Sequence, residues 1–182
     1  MTLHDQVSST LRDWEAPDLG QRALREAFLG FLAARPDATL RSCEPGHITA
    51  SAMVLTADRR EVLLTLHPRI GRWVQLGGHC EPGDETIAEA ALREATEESG
   101  IDGLLIDPFP VHLDVHGLTC SLGVPTRHFD IRFRVIAPQG AVPAMSAESE
   151  DLRFWPVDGL PPGSEELTPA LHASGVNDAA VR

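Results

Sequence analysis

Helical periodicity marks the beginning of the chain. The apolar residues Leu24, Phe28 and Phe31 recur at the spacing of one helix face, after a break at Pro17. We therefore predict two short helices within the first 35 residues.

Alternating and β-branched segments fill the middle of the chain. Segments 48–55 and 61–67 are joined by TADRR and predict a first hairpin, and the turn-rich TCSLGVPT joins the segments of a second hairpin. The predicted strands are 48–55, 61–67, 72–76, 111–118, 127–137 and 149–160. One helix is predicted between the third and fourth strands.

This order of elements predicts an α/β fold in which helices cover a mixed sheet. We divide the chain into an N-terminal helical extension, 1–44, a main domain, 45–162, and a C-terminal tail, 163–182. A short helix is expected in the tail around Leu167 and Leu171.

The composition is that of a globular protein with a strong negative charge. Hydrophobic residues make up 42% and charged residues 23% of the 182 residues, and 15 Lys and Arg stand against 27 Asp and Glu, giving a net charge of −12. That field disfavours binding to nucleic acid or to an anionic membrane. An anionic substrate would need a metal ion or a local arginine cluster.

Three cysteines without a CxxC pair predict neither a disulfide scaffold nor a structural zinc site, and favour reduced thiols. The N-terminus has no apolar signal region, and no stretch approaches the ~18 apolar residues of a membrane span. We expect a cytoplasmic protein.

Acidic residues gather on the central predicted helix, within GGHCEPGDETIAEAALREATEESGI at 77–101. Thr86 followed by Glu89 fits a capping box and predicts the start of the helix, and Gly100 predicts its end. At about 100° per residue, Glu94, Glu97 and Glu98 share an arc of roughly 100°. Ala88, Leu92 and Ala95 form the predicted apolar stripe beside that arc.

Such clustering is unfavourable near a helix C-terminus, because like charges repel and the helix dipole there favours cations. Carboxylates are the ligands that hard divalent cations prefer. The pattern leaves two alternatives open, a metal site and a solvated acidic face.

The spacing of these residues resembles the Nudix box, Gly-x5-Glu-x7-Arg-Glu-U-x-Glu-Glu-x-Gly-U, in which U is a bulky aliphatic residue. The matching positions are Glu85, Arg93, Glu94, Glu97, Glu98, Gly100 and Ile101. Two departures occur: six residues, not five, separate Gly78 from Glu85, and Ala95 replaces an aliphatic residue. Asp84 would restore the first spacing but break the second. We assign Glu85 to the box because the mostly helical interval to Arg93 cannot absorb a slip.

The resemblance implies a Nudix-type α/β/α sandwich with a mixed sheet and an N-terminal helical extension. It also implies that Glu94, Glu97 and Glu98 bind Mg²⁺ or Mn²⁺, and that a salt bridge between Arg93 and Glu85 orients them. The implied reaction is hydrolysis of a nucleoside-diphosphate-linked or other organic diphosphate by an activated water. Family members often draw a further acid from a distant loop, and Glu150 is our choice among Glu148, Glu150 and Asp151.

Four polar residues are predicted to converge on the second hairpin. Asp114 and His116 alternate onto one face of a strand, as do His128 and Asp130 on its partner. Two interpretations remain open, a second metal or substrate-contacting patch and a hydrogen-bonded polar cluster. The arrangement is similar to a subgroup of bacterial Nudix proteins with the same His-rich strands.

Further candidates for substrate or phosphate contact precede or enter the box. They are His67, Arg69, Arg72 and His79, together with Trp73, which either stacks on a base or packs in the core. Gly77 and Gly78 are expected to let the backbone turn sharply beside the metal site.

Two other functions are compatible with this fold. One is a ligand-sensing module without turnover; the other is an isoprenoid-diphosphate isomerase, which would use Cys80 with a glutamate. We expect a small-molecule diphosphate as the partner, neither nucleic acid nor membrane, and a homodimer, since dimers are common among similar proteins.

Overall fold

The computed structural model describes residues 1–68, 71–119, 123, 125–144 and 150–176. Helices α1 to α4 comprise Leu3–Asp13, Leu19–Ala34, Ile87–Ser99 and Thr168–Ala173. Strands β1 to β7 comprise Gly46–Leu55, Glu61–His67, Arg72–Val74, Leu76–His79, Leu105–Thr119, Pro125–Ile136 and Asp151–Pro156. A 3₁₀ helix, Glu165–Leu167, leads directly into α4.

Within the described ranges, seven strands form one mixed sheet whose main path is β3-β2-β1-β6-β5. Strand β4 also pairs with β1, and β7 pairs with β2. The long central contact is parallel and runs from Gly46 opposite Arg127 to Leu55 opposite Ile136. Strands β5 and β6 form the predicted second hairpin, which is antiparallel.

The segment 72–76, predicted as one strand, is divided at Gln75 into β3 and β4. Strand β3 pairs with β2, whereas β4 pairs with β1, where Leu76 lies opposite Ala52. The division follows from the first hairpin, because β1 and β2 are registered at Leu55 and Val62 and then diverge. Strand β4 lies beside the middle of β1, from Thr49 to Ala52.

Both faces of the sheet are covered by helices. On β1, Ile48 and Ala50 lie in a core cluster with α1, α2 and α3, whereas Met53 and Leu55 pack with Leu171 of α4 on the opposite face. The predicted α/β/α sandwich with a mixed sheet and N-terminal helices is therefore confirmed.

The N-terminal helices share the main core. The residues that they contribute to the cluster containing Ile131 and Phe133 of β6 are Val7, Leu11, Phe28 and Leu32. Helix α1 begins with a capping box of Thr2 and Asp5. The side chain of Asp18 caps α2, accepting a hydrogen bond from the backbone N–H of Gln21 at 2.8 Å.

A buried glutamine attaches α2 to strand β5. The Gln21 side-chain oxygen accepts a hydrogen bond from the Leu113 N–H at 2.6 Å, and its nitrogen donates to the Leu113 carbonyl at 3.0 Å. The side-chain amide thus bonds to one residue of β5 as a neighbouring strand would. Across the described residues, none of the helices combines the length and the apolar character that a membrane crossing requires.

Candidate active site

Helix α3 has the boundaries that its sequence predicts. Thr86 and Glu89 form the reciprocal capping box, and Gly100 closes the helix in the left-handed conformation with φ of 62°. Local side-chain chemistry therefore fixes where the acidic residues stand.

The acids lie inside the buried face of α3, not beside it as predicted. The buried residues are Ile87, Ala90, Ala91, Ala95 and Ser99. At about 100° per residue, Glu94 and Glu98 fall within the arc of these residues, and both are half-buried. Glu97 points away, with its side chain 60% exposed.

Burial changes the chemistry of Glu94. Its side chain is only 16% exposed, and desolvation raises the pKa of the carboxyl above its ordinary value. The hydrogen bond and charge of Arg93 oppose that rise, whereas the charges of Glu97 and Glu81 add to it. A cation at this position would stabilise the ionised form.

Strand β4 approaches the acids through its two glycines. The Gly77 N–H donates a hydrogen bond to the Glu98 carboxylate at 3.2 Å. A Cβ on Gly78 would lie 2.6 Å from the Glu94 carboxyl carbon, a distance that real Cβ atoms do not tolerate. The absence of side chains here lets the strand backbone close onto two of the three box glutamates.

Arg93 is the centre of the charge network. It donates to both oxygens of Asp84, at 3.0 and 3.1 Å, and to the carbonyl of His79 at 3.0 Å. Its Nη1 lies 3.0 Å from a Glu94 oxygen and 3.2 Å from a Glu97 oxygen. The Asp84 hydrogen bond is the largest cause of an Arg93 pKa raised above its ordinary value. One guanidinium thus holds three carboxylates.

The predicted salt bridge between Arg93 and Glu85 is wrong, because Asp84 forms it. The Asp84 side chain is 5% exposed, whereas Glu85 is an exposed residue. The extra residue of the box lies in the loop after Asp84, since α3 begins only at Ile87. Two non-helical residues absorb the slip that a helical interval could not.

A second polar network occupies the opposite face of the sheet, centred on Asp130. This carboxylate is 1% exposed. It accepts hydrogen bonds from Thr49 at 2.9 Å, Ser51 at 2.7 Å, Gln75 at 3.2 Å and Arg132 at 3.0 Å. Its hydrogen-bonding capacity is taken up within the chain.

Arg132 links this carboxylate to the neighbouring strand. A second Arg132 nitrogen lies 3.1 Å from Asp114, which in turn bonds to His116 Nδ1 at 2.8 Å. That hydrogen bond raises the pKa of His116 and lowers the pKa of Asp114. Asp114 and His116 lie opposite Asp130 and His128, so the structure brings the four predicted residues onto one face. Asp114, His116 and Asp130 form a hydrogen-bonded cluster.

His128 belongs to a different group, with His79 and His47. The ring centroids are separated by 5.0 Å between His47 and His79, 4.9 Å between His47 and His128, and 5.1 Å between His79 and His128. Burial lowers the pKa of His79 to about 4 and of His128 to about 3. Among the residues that the structure describes, these three form the group of metal-ligating side chains whose ligand atoms lie within 4.8 Å of one another. The box glutamates do not meet that condition.

His47 was missed from the sequence, although a signal existed. His47, Thr49 and Ser51 alternate with the apolar Ile48 and Ala50, so they share a strand face. Burial lowers the pKa of His47, and a nearby backbone group of Cys43, too poorly placed for a hydrogen bond, offsets part of that effect. Neither ring nitrogen of His47 reaches hydrogen-bond geometry with any described atom.

The remaining candidates are engaged elsewhere or lie outside the described residues. Arg72 donates to the Gly163 carbonyl and pairs with Glu166 at 2.8 Å. Trp73 packs edge-on against Trp155, with ring centroids 5.2 Å apart, at the margin of the α4 core. The Arg153 guanidinium lies 5.0 Å from the Trp73 ring centroid.

Of the four other candidate acids and bases, two lie within the described residues. His67 ends β2 opposite Arg72. Glu150 is exposed and directly precedes β7, with its N–H bonded to the Leu66 carbonyl at 3.1 Å. Arg69 and Glu148 lie outside the described residues.

Cys80 has the character of an unreactive thiol. Its sulfur lies 3.8 Å from the Ile48 carbonyl, and burial raises the pKa of the thiol to about 12. A thiol of that pKa supplies almost no thiolate near neutral pH, which weighs against an isomerase that uses this cysteine.

Comparison with known proteins agrees with the fold. A family model described as the NUDIX domain matches residues 45–173. A NUDIX-family hydrolase from Clostridium perfringens superposes with a TM-score of 0.52 at 22% identity, covering 69% of this chain and 96% of its own. An ADP-ribose pyrophosphatase from Streptococcus suis gives 0.52 at 19%, covering 72% and 93%. A UDP-X diphosphatase gives 0.53 at 16% and covers 96% of both chains, so its similarity extends beyond the matched domain.

Proposed function

The chain belongs to the Nudix hydrolase family, and we propose that it hydrolyses a nucleoside-diphosphate-linked or other organic diphosphate in the presence of Mg²⁺ or Mn²⁺. The observation that carries this proposal is the position of Glu94 and Glu98 on the buried face of α3, against the bare backbone of β4. Fold neighbours described as an ADP-ribose pyrophosphatase and a UDP-X diphosphatase support a diphosphate as the substrate.

The donor set fits a hard divalent cation. Glu94, Glu97 and Glu98 offer carboxylate oxygens, and burial disfavours the uncompensated charge of Glu94. These three residues would hold the ion. When bound, such an ion polarises a phosphoanhydride and activates a water for attack on phosphorus.

The chain's own contribution is to position the carboxylates. Arg93 fixes Glu94 and Glu97 and is itself anchored by the buried Asp84. The Gly77 N–H fixes one oxygen of Glu98. Because the helix and the strand are both part of the core, the acids are held by rigid elements.

The remaining site assignments are part of the proposal. We assign Glu150 as the further acid and place Glu85 at the margin of the site. The other predicted contacts to the organic group of the substrate stay predictions: Arg69, Arg72, Trp73, His79, His116, His128 and Asp130. For Asp130 the role is to hold Arg132 and Gln75 in place, since its carboxylate is buried. A homodimer is also proposed.

A substrate panel tests the proposal. The full chain is incubated with Mg²⁺ or Mn²⁺ and nucleotide sugars, dinucleotides, nucleoside triphosphates and isopentenyl diphosphate, and the products are identified by mass spectrometry. We expect phosphate-containing products that require the cation, and a kcat at least ~100-fold lower in Glu98→Gln, since several kcal/mol of transition-state stabilisation depend on the ion. Glu15→Gln, at an exposed residue between α1 and α2, is the matched control.

Other outcomes contradict the proposal in recognisable ways. Ligand binding without turnover would indicate a ligand-sensing module. Rearrangement without phosphate release would indicate an isomerase. Undiminished turnover in Glu98→Gln would place the reaction elsewhere on the chain.

A further inference from the structure

Three imidazoles from three different strands meet on the face of the sheet opposite α3. His47 is the second residue of β1, His79 ends β4 and His128 lies near the start of β6. His47 is registered opposite His128, and the next residue on the same face of β1, Thr49, is opposite His79. The ring centroids form a nearly equilateral triangle with sides of 5.0, 4.9 and 5.1 Å.

The nitrogens of this triangle are buried without partners. His47 is 1% exposed, and neither of its ring nitrogens has a hydrogen-bond partner among the described atoms. The same holds for Nε2 of His79 and Nε2 of His128. Buried polar atoms are almost always bonded, so a cluster of such exceptions calls for a ligand. A nitrogen from each of the three rings is available to it.

We propose that His47, His79 and His128 form a binding site for a divalent transition metal ion of the Zn²⁺ class. The candidate ligand atoms lie within 4.8 Å of one another. Tetrahedral zinc with Zn–N bonds of about 2.0–2.1 Å requires nitrogens about 3.3 Å apart, so the rings need to move together by up to about 1.5 Å. Zn²⁺ and the neighbouring transition-metal ions bind imidazole nitrogen well, whereas Mg²⁺ takes oxygen ligands.

The surroundings favour a site with one exchangeable position. Three histidine ligands leave a fourth tetrahedral position, as in catalytic zinc sites. His116 lies next to this group, with its ring centroid 5.4 Å from that of His128. Asp114 accepts the hydrogen bond of His116 Nδ1, the kind of carboxylate contact that orients histidines at metal centres. The open position would accept an oxygen or nitrogen donor of a small molecule.

This site is separate from the carboxylate site of the proposed hydrolase. Gly78 is directed toward Glu94, and the next residue, His79, is directed to the other face of β4. The two sites also differ in ligand type, since one offers oxygens and the other nitrogens. Zinc binding at the histidines therefore does not depend on the hydrolytic reaction.

Calorimetric titration of the metal-free full chain with Zn²⁺, at saturating Mg²⁺, tests the proposal. We expect one Zn²⁺ per chain, and an affinity about tenfold or more weaker in His79→Gln and in His128→Gln. His172→Gln, at an exposed residue of α4, and Glu98→Gln should bind as the unaltered chain does. Equal affinity in all variants, loss of the site in Glu98→Gln, or no uptake of zinc would overturn the proposal.

A spectroscopic measurement on the unaltered chain guards against misfolded variants. The Zn²⁺ K-edge absorption spectrum should show three imidazole nitrogens and one further oxygen or nitrogen donor. A first shell of oxygens, with fewer than three imidazoles, would refute the histidine site whatever the variants do. Neither measurement reads turnover, so a failed zinc site and a failed hydrolase are told apart.

Discussion

The two faces of strand β4 hold titratable clusters that are controlled in opposite ways. On the side of Gly78, carboxylates are partly buried and are compensated by a built-in cation, Arg93. On the side of His79, the imidazoles are kept uncharged near neutral pH by burial, and within the described part of the chain no charged group bonds to their unpaired nitrogens. Adjacent residues of one short strand thus serve two environments.

The difference shows how each cluster can tolerate its neighbours. Like-charged carboxylates repel one another and require a cation, which the protein supplies in part. Neutral histidines do not repel one another, and their burial costs only the hydrogen bonds that their ring nitrogens leave unmade. The first cluster is suited to hard cations and phosphate chemistry. The second is suited to a ligand that bonds to lone pairs.

The largest effect is expected at the two glycines of β4. A Cβ at Gly77 would lie 2.6 Å from the Ala50 carbonyl, and φ there is 151°, so Gly77→Ala should lower the free energy of unfolding by about 3 kcal/mol. Gly78→Ala meets only the flexible end of Glu94, and should cost under about 1 kcal/mol while lowering turnover at least ~10-fold. Urea unfolding and kcat distinguish the two. Equal losses of stability would show that Glu94 is not free to move.

The next effect concerns pH and the histidine face. The folded pKa values of His79 and His128, about 4 and about 3, lie below the unfolded value of about 6.5. At pH values between the folded and unfolded pKa values, the unfolded chain therefore binds more protons than the folded chain. The contribution of these histidines to the free energy of unfolding is therefore fully present above about pH 6.5 and is lost as the pH falls toward 4. We expect a loss of about 2 kcal/mol from each of the two histidines between about pH 7 and 5, measured by urea unfolding in EDTA.

Two variants sharpen this pH dependence. His128→Gln should make the loss shallower, and His172→Gln should leave it unchanged. Glu94 acts with the opposite sign, because its raised folded pKa means that the folded chain gains stability as the carboxyl is protonated. Glu94→Gln should therefore steepen the loss on acidification. An unchanged slope in His128→Gln would remove the histidines from the explanation.

The smallest effect tests which acid anchors Arg93. Asp84→Asn keeps the shape of the side chain, and Arg93 retains Glu94 and Glu97, so the expected loss is about 1.5 kcal/mol, with turnover about tenfold lower. Glu85→Gln is the matched control and should change stability by less than about 0.5 kcal/mol. A larger effect of Glu85→Gln on turnover would restore Glu85 to the network.

Local chemistry made helix α3 predictable. Thr86, Glu89 and Gly100 act through neighbours in sequence, so the ends of the helix could be read directly. The position of the extra residue of the box could not be predicted, because the spacing alone does not show whether it is inserted before or after Asp84. That choice depends on which carboxylate reaches the buried Arg93.

The features that could not be predicted depend on strand pairing between segments that are distant in sequence. The segment around Gln75 divides because β1 and β2 diverge, which no local pattern encodes. His47 joins His128 only through the parallel register of β1 and β6, residues far apart in sequence. The alternation on the second hairpin did predict its polar face, because both strands are neighbours along the chain.

The attachment of Gln21 to Leu113 has a consequence for how copies of this chain behave toward one another. Strand β5 lies at the margin of the sheet, where unbonded backbone groups act as a template for a foreign strand. One amide side chain occupies both groups of Leu113 and so interrupts that template at its middle. Besides completing the core, the N-terminal helices therefore reduce edge-to-edge aggregation by blocking the backbone of β5 at Leu113.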